Sequence, residues 1–149
     1  MIALILDINV VLDVFLERSP WVAESAAALA ANQRGEIVGH LSAASLPTIF
    51  YIVRRNADLA KANQVVTECL ASFEIISVAR KTLELAGTML GPDFEDNLQI
   101  ATAVEAGLDA IVTRDPRGFA GSPIAVLSPA YLLSRLSKGD SSLPSTTGS

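Results

Sequence analysis

Three acids crowd one short stretch of this chain and a fourth follows close behind. Asp93, Glu95 and Asp96 fall together in GPDFEDNLQIATAVEAGLDAIVTRDPRGF, and Asp115 lies beyond the next apolar run. Two carboxylates about 4 Å apart repel by roughly 4 kcal/mol at an effective dielectric of about 20. Such groups either stay apart in water or are held by something positive. A hard divalent cation takes oxygen ligands of this kind. Asp7 adds another carboxylate, directly after the apolar run IALIL. Each acid also has a plain structural use. Asp7 suits a helix N-cap, Asp96 the positive end of a helix, and Asp115 the turn in RDP. Their joint placement favours a shared site: two follow buried strands, and one heads the helix between them.

The elements that must position these acids are legible as a pattern. Ile2 to Leu6 reads as a strand buried on both faces. A short helix over Asn9 to Glu17 follows. Ser19-Pro20 predicts an N-cap with proline at the first helical position, opening a helix that runs to about Gln33 and stops at Gly35. EIVGHL is a weaker second strand. Ser45 is expected to cap a helix through LPTIFYIVRR, and a further helix is expected from about Asp58 to Ser72. FEIISV is a third strand, and RKTLELAGTML a helix ending at Gly91-Pro92. EDNLQIATAVEAG is a helix closed by Gly107. DAIVT and PIAVLS are strands four and five, and a last helix spans Pro129 to Leu136. Strands alternating with helices predict an α/β fold with a mainly parallel sheet covered on both faces. In such sheets ligands bind at the carboxyl ends of the strands, where strand order reverses. One domain is expected over residues 1–136, followed by a polar, flexible tail over 137–149.

Bulk properties narrow the functions. The chain has 149 residues, half of them hydrophobic and 18% charged, which suits one domain with a real core. No apolar run approaches the roughly 20 residues of a membrane span, and the first residues lack a signal-peptide pattern. Cys69 is the only cysteine, so no internal disulfide or cysteine zinc cluster forms. A cytoplasmic home and no membrane partner are expected. Net charge is −5, from 11 basic and 16 acidic residues, unlike a protein that coats nucleic acid. A role on RNA would need a local site with a metal to offset the acids. His40 is the only histidine and has no second histidine for zinc. No serine has a plausible triad partner, and GxGxxG and GxxxxGK[ST] are absent. Cys69 reads as core.

LDINVVLDVFLER resembles the opening of the PIN-domain family, in which a strand ends in Asp-x-Asn. DFEDNLQIATAVEAGLDAIVTRDPRGF resembles its later half: an acid heading a helix, an IATA run, a strand, then TRD and an aromatic. The resemblance extends to about Ala130, and the small size is similar to the toxin-type, VapC-like members of bacterial toxin–antitoxin pairs. It implies a three-layer α/β/α sandwich with a five-stranded, mainly parallel sheet, and a ribonuclease dependent on Mg²⁺ or Mn²⁺. It implies that Asp7, Asp96 and Asp115 are catalytic, metal-binding acids, braced by Asn9 and Thr113. One position departs from the family: a glutamate usual in the helix after strand two is replaced by Thr48, which brings no charge. Asp93 and Glu95 are the candidate compensating acids. Arg114 and Arg117 are candidates for holding RNA phosphates, with a solvated turn as their structural alternative. The partners implied are an RNA substrate, an antitoxin whose basic side chain caps the acids, and a second copy in a homodimer. The alternative reading is a catalytically weakened module that binds RNA or protein without cleaving. A small-molecule phosphatase is disfavoured, because Asn9 stands where such enzymes place a second aspartate.

Overall fold

A computed structural model describes residues 1–139. The order is β1 (Ile2–Leu6), α1 (Ile8–Phe15), α2 (Val22–Gln33), β2 (Ile37–Ser42), α3 (Ser45–Asn56), α4 (Leu59–Ser72), β3 (Glu74–Ile76), α5 (Arg80–Gly87), α6 (Phe94–Glu105), β4 (Ala110–Val112), a 3₁₀ turn (Pro116–Phe119), β5 (Ala125–Leu127) and α7 (Pro129–Ser137). The five strands form one parallel sheet in the order β3-β2-β1-β4-β5. This is the expected three-layer α/β/α sandwich. The expected tail falls mostly at 140–149, outside the described residues.

Side-chain alternation in β1 divides the core. Ile2, Leu4 and Leu6 face a large cluster with Val10, Val11, Ala28, Ile49, Val65 and Leu132, from the helices of one layer. Ile5 faces the other layer, with Ile111, Ile100, Ala103 and Phe119. β1 is buried along both faces because neighbouring strands and two helical layers enclose it, as its unbroken apolar run requires. Register aligns Leu6 with Val112, and the Asp7 amide donates to the Val112 carbonyl at 2.9 Å. The carboxyl ends of β1 and β4 therefore lie side by side. No helix among the described residues is long and apolar enough to cross a membrane.

Several helix starts differ from expectation. α2 begins at Val22, with Trp21 at its N-cap position, and Ser19 and Pro20 lie in the turn before it. Trp21 is held beneath the Arg114 guanidinium, 3.8 Å from its ring centre. Ser45 lies inside α3, and Ala44 occupies the cap position without a side-chain bond. Asp58 does cap α4, accepting from the Lys61 amide at 2.7 Å. Asp58→Ala is expected to destabilise the fold by about 1 kcal/mol, lowering Tm by roughly 2–4 °C in a chain of this size. Ser45→Ala should leave Tm nearly unchanged, and thermal melts of both variants check the assignment.

Candidate functional site

Asp7 ends β1 and occupies the N-cap position of α1, yet its side chain makes no capping bond. Its carboxylate is held instead by two distant residues. Thr113, one residue past β4, donates its hydroxyl to Oδ2 at 2.8 Å, and Gln99 of α6 donates Nε2 to Oδ1 at 3.0 Å. The Thr113 hydroxyl also accepts the Asp115 amide at 3.0 Å. Burial pushes the Asp7 carboxyl above its ordinary range, while these bonds and the positive charge of Arg114 pull it back.

Asp96 lies in the first turn of α6 without capping it. Asp93 is the cap, accepting the Asp96 amide at 3.0 Å. The 3₁₀ turn after Asp115 lies against Asp96: a Cβ added to Gly118 would meet the Asp96 carboxylate and force it to turn aside. Desolvation first, then the charges of Asp93, Asp7, Glu95 and Asp115, push the Asp96 carboxyl up to about 6. Burial, with Asp93 and Asp7 beside it, raises Glu95 as well.

Asp7, Asn9, Thr48, Asp93, Glu95, Asp96 and Gln99 line one cavity of about 190 Å³. Thr48 lines the same cavity as the acids. Asn9 also accepts from Arg18 at 3.4 Å. Asp115 stands at the rim, outside this lining. Its carboxylate is turned to Arg117 at 3.1 Å, and both side chains are largely exposed. A wider hollow of about 520 Å³ runs along α3 beside Tyr51, Arg54 and Arg55. It meets the acidic cavity only at Ile52, and none of its described lining residues is acidic. The acids gather in the smaller cavity.

Arg114 is not free to hold a phosphate in the way its place in TRD suggested. Its Nε donates to Asp13 Oδ2 at 2.7 Å, and its guanidinium stacks on Trp21. Asp13 is fully buried, with Arg18 a further 3.8 Å from its Oδ1. Asp13 is the buried member, so removing Arg114 would leave its charge in the interior with only Arg18 nearby. Arg117 remains exposed at the rim. Gln99 and Asp13 were missed from sequence. A helical offset of three residues from Asp96 was the available signal for Gln99; Asp13 pairs with a residue 101 positions away and had none. His40 is bonded through Nδ1 to backbone carbonyls of Leu4 and Val38, and burial pushes the Cys69 thiol up to about 12, so neither joins the site.

A model of the PIN domain matches residues 3–117. The chain belongs to the PIN-domain family. No curated protein sequence matches it. Among solved structures, Mycobacterium tuberculosis VapC20, a sarcin–ricin-loop-cleaving toxin, is 13% identical with TM-score 0.67, covering 79% of this chain and 94% of that one. A toxin–antitoxin complex from Klebsiella pneumoniae gives 22% and 0.64, covering 84% and 96%. VapBC2 from Rickettsia felis, bound to a DNA fragment from its promoter, gives 17% and 0.63, covering 85% and 98%. These are likenesses of fold.

The donors of this PIN-domain cavity are hard oxygens suited to a divalent cation. Among the described residues no three acid, histidine or cysteine side chains close around one point. The remaining set, Asp7 and Asp96, fits an ion that retains waters and uses one or two carboxylates.

The raised Asp96 pKa has a stability consequence in metal-free protein. The folded value, about 6, exceeds the ordinary 3.8, so the native state binds the extra proton between these values. Stability therefore falls as pH rises through that window. Asp96→Asn should flatten this decline, leaving a smaller slope from Asp7 and Glu95, and should melt higher than wild type above the window. Melts in EDTA across the pH range measure it.

Proposed function

We propose that this chain is a divalent-metal-dependent endoribonuclease and the toxin of a toxin–antitoxin pair. One observation carries the reading: Asp7, Asp93, Glu95 and Asp96 line a single cavity whose described lining holds no basic side chain, a state that a cation would relieve. PIN-family membership supports it, as does a fold shared with a sarcin–ricin-loop-cleaving toxin and with toxin–antitoxin complexes.

Asp7, Asp96 and Asp115 would hold Mg²⁺ or Mn²⁺, partly through waters. The ion would supply an activated water and charge shielding for in-line attack on an RNA phosphodiester. Thr113 and Gln99 fix the Asp7 carboxylate, so its direction does not depend on the ligand. A carboxylate of this set would accept a proton from the attacking water. Arg117, paired with Asp115 and 91% exposed, would transfer to a substrate phosphate as Asp115 turns inward. An antitoxin would cover the cavity with a basic side chain. A cytoplasmic homodimer completes this reading and rests on family analogy.

Asp7→Asn should abolish Mn²⁺-dependent cleavage of unstructured RNA while the fold persists. Loss of cleavage in both EDTA-treated and Asp7→Asn protein, against active wild type in Mn²⁺, is the test. The position of Thr48 among the acids favours one alternative, a weakened module that binds without cleaving. Undetectable cleavage across a broad RNA panel, with Mn²⁺ still bound in calorimetry, would select it.

Thr48→Glu separates the two readings further. It adds a negative charge to the acidic cavity, so it should lower Tm in EDTA. In saturating Mn²⁺ the difference should reverse, because binding to the native state stabilises it, and cleavage should rise. A Mn²⁺-induced gain in Tm no larger than in wild type would remove Thr48 from the metal's surroundings.

A further inference from the structure

The acidic cavity continues into a second one. Thr48, Glu95 and Gln99 line both, and the second holds about 190 Å³. Its other walls bring Phe94 and Leu98 from α6 and Ser42 and Ala44 from the end of β2 and the turn beyond it. We propose that this cavity receives one unstacked base of single-stranded RNA, beside the phosphate that the acids handle. The inference rests on the ribonuclease reading and names how that site grips its substrate.

Four observations converge on a base. The volume lies below the roughly 300–1,000 Å³ of pockets for drug-sized ligands, so it suits a single ring system. Phe94 is 52% exposed, although it immediately precedes Glu95 and Asp96. A bare aromatic beside a nucleic-acid site is a stacking platform, worth about 1–3 kcal/mol per base. The walls also offer a polar edge. Gln99 is 2% exposed; its Nε2 is taken by Asp7, and its Oε1 has no partner. Ser42 Oγ accepts the Ala44 amide at 3.2 Å, which leaves its hydroxyl proton to donate. A donor and an acceptor beside an apolar face match the edge and face of a base. Finally, Glu95 in the shared wall opposes a second phosphate but tolerates a neutral ring. An apolar protein side chain would leave the Gln99 oxygen unpaired, an unfavourable outcome for a buried acceptor.

The test uses full-length protein in Mn²⁺ and short single-stranded RNAs carrying one abasic nucleotide at successive positions. Phe94→Ala should lower kcat/KM on intact RNA by about tenfold, within the range of one lost stack, whereas Phe94→Trp should retain it. At one position next to the cleaved bond, the abasic nucleotide should lower wild-type kcat/KM by a similar factor and have no further effect on Phe94→Ala, since coupled partners are non-additive. The Mn²⁺-induced rise in Tm should be the same in Phe94→Ala and wild type. Ala44→Leu, which fills the cavity from the opposite wall, should reproduce the loss without touching α6. If wild type cleaves and no abasic position depends on Phe94, the base site is overturned while the ribonuclease reading stands. If wild type binds Mn²⁺ and cleaves no RNA, that reading falls and the base site with it. If Phe94→Ala releases a bound protein partner while RNA kinetics hold, the cavity docks protein and the proposal is overturned.

Discussion

Asp7 is gripped from two sides, by the Thr113 hydroxyl at 2.8 Å and the Gln99 amide at 3.0 Å. Thr113 follows β4, Gln99 belongs to α6, and Asp7 follows β1. One carboxylate therefore fastens three elements at the carboxyl edge of the sheet. Without those donors, burial alone would favour its neutral form. With them, a buried acid keeps a fixed direction while its neighbours repel one another. The sheet supplies the stiffness this demands. β1 and β4 are adjacent, parallel and enclosed by two layers of apolar side chains, so Asp7 and Thr113, which follow them, are held side by side.

That grip also explains how unequal the acids are. Asp7 is buried and fixed. Asp96 lies against Gly118 and is surrounded by like charges. Asp93 is occupied as a helix cap. Asp115 is exposed and answers to Arg117. These four acids meet four electrostatic environments, set by what each carboxylate touches: Thr113 and Gln99 for Asp7, the Asp96 amide for Asp93, Arg117 for Asp115, and other acids for Asp96.

Much of this was visible in the chain. Unbroken apolar runs identified β1 and β4 because buried parallel strands cannot alternate, and Asp7 and Asp115 were legible as acids that follow them. Asp58 was legible as a helix boundary because its cap is local. Ser45 misled because the same residue type serves equally well inside a first turn. The orientation of Asp115 and the commitment of Arg114 were not legible, since both depend on which oppositely charged group lies closest in space. Gln99 was hidden among helix-forming residues, and its buried amide has meaning only once Asp7 lies across from it.

The Asp13–Arg114 pair, capped by Trp21, ties α1 to the segment that carries Asp115. Lysine at 114 would keep the charge but lose the planar stack on Trp21 and the forked donors. An apolar residue at 114 would strand the buried Asp13, with only Arg18 left near it at 3.8 Å. Arg114, partly exposed, tolerates the loss of its partner better than Asp13 does. The dependence is one-sided, so a lineage that abandons the arginine of its TRD turn would have to abandon the buried aspartate first or along with it.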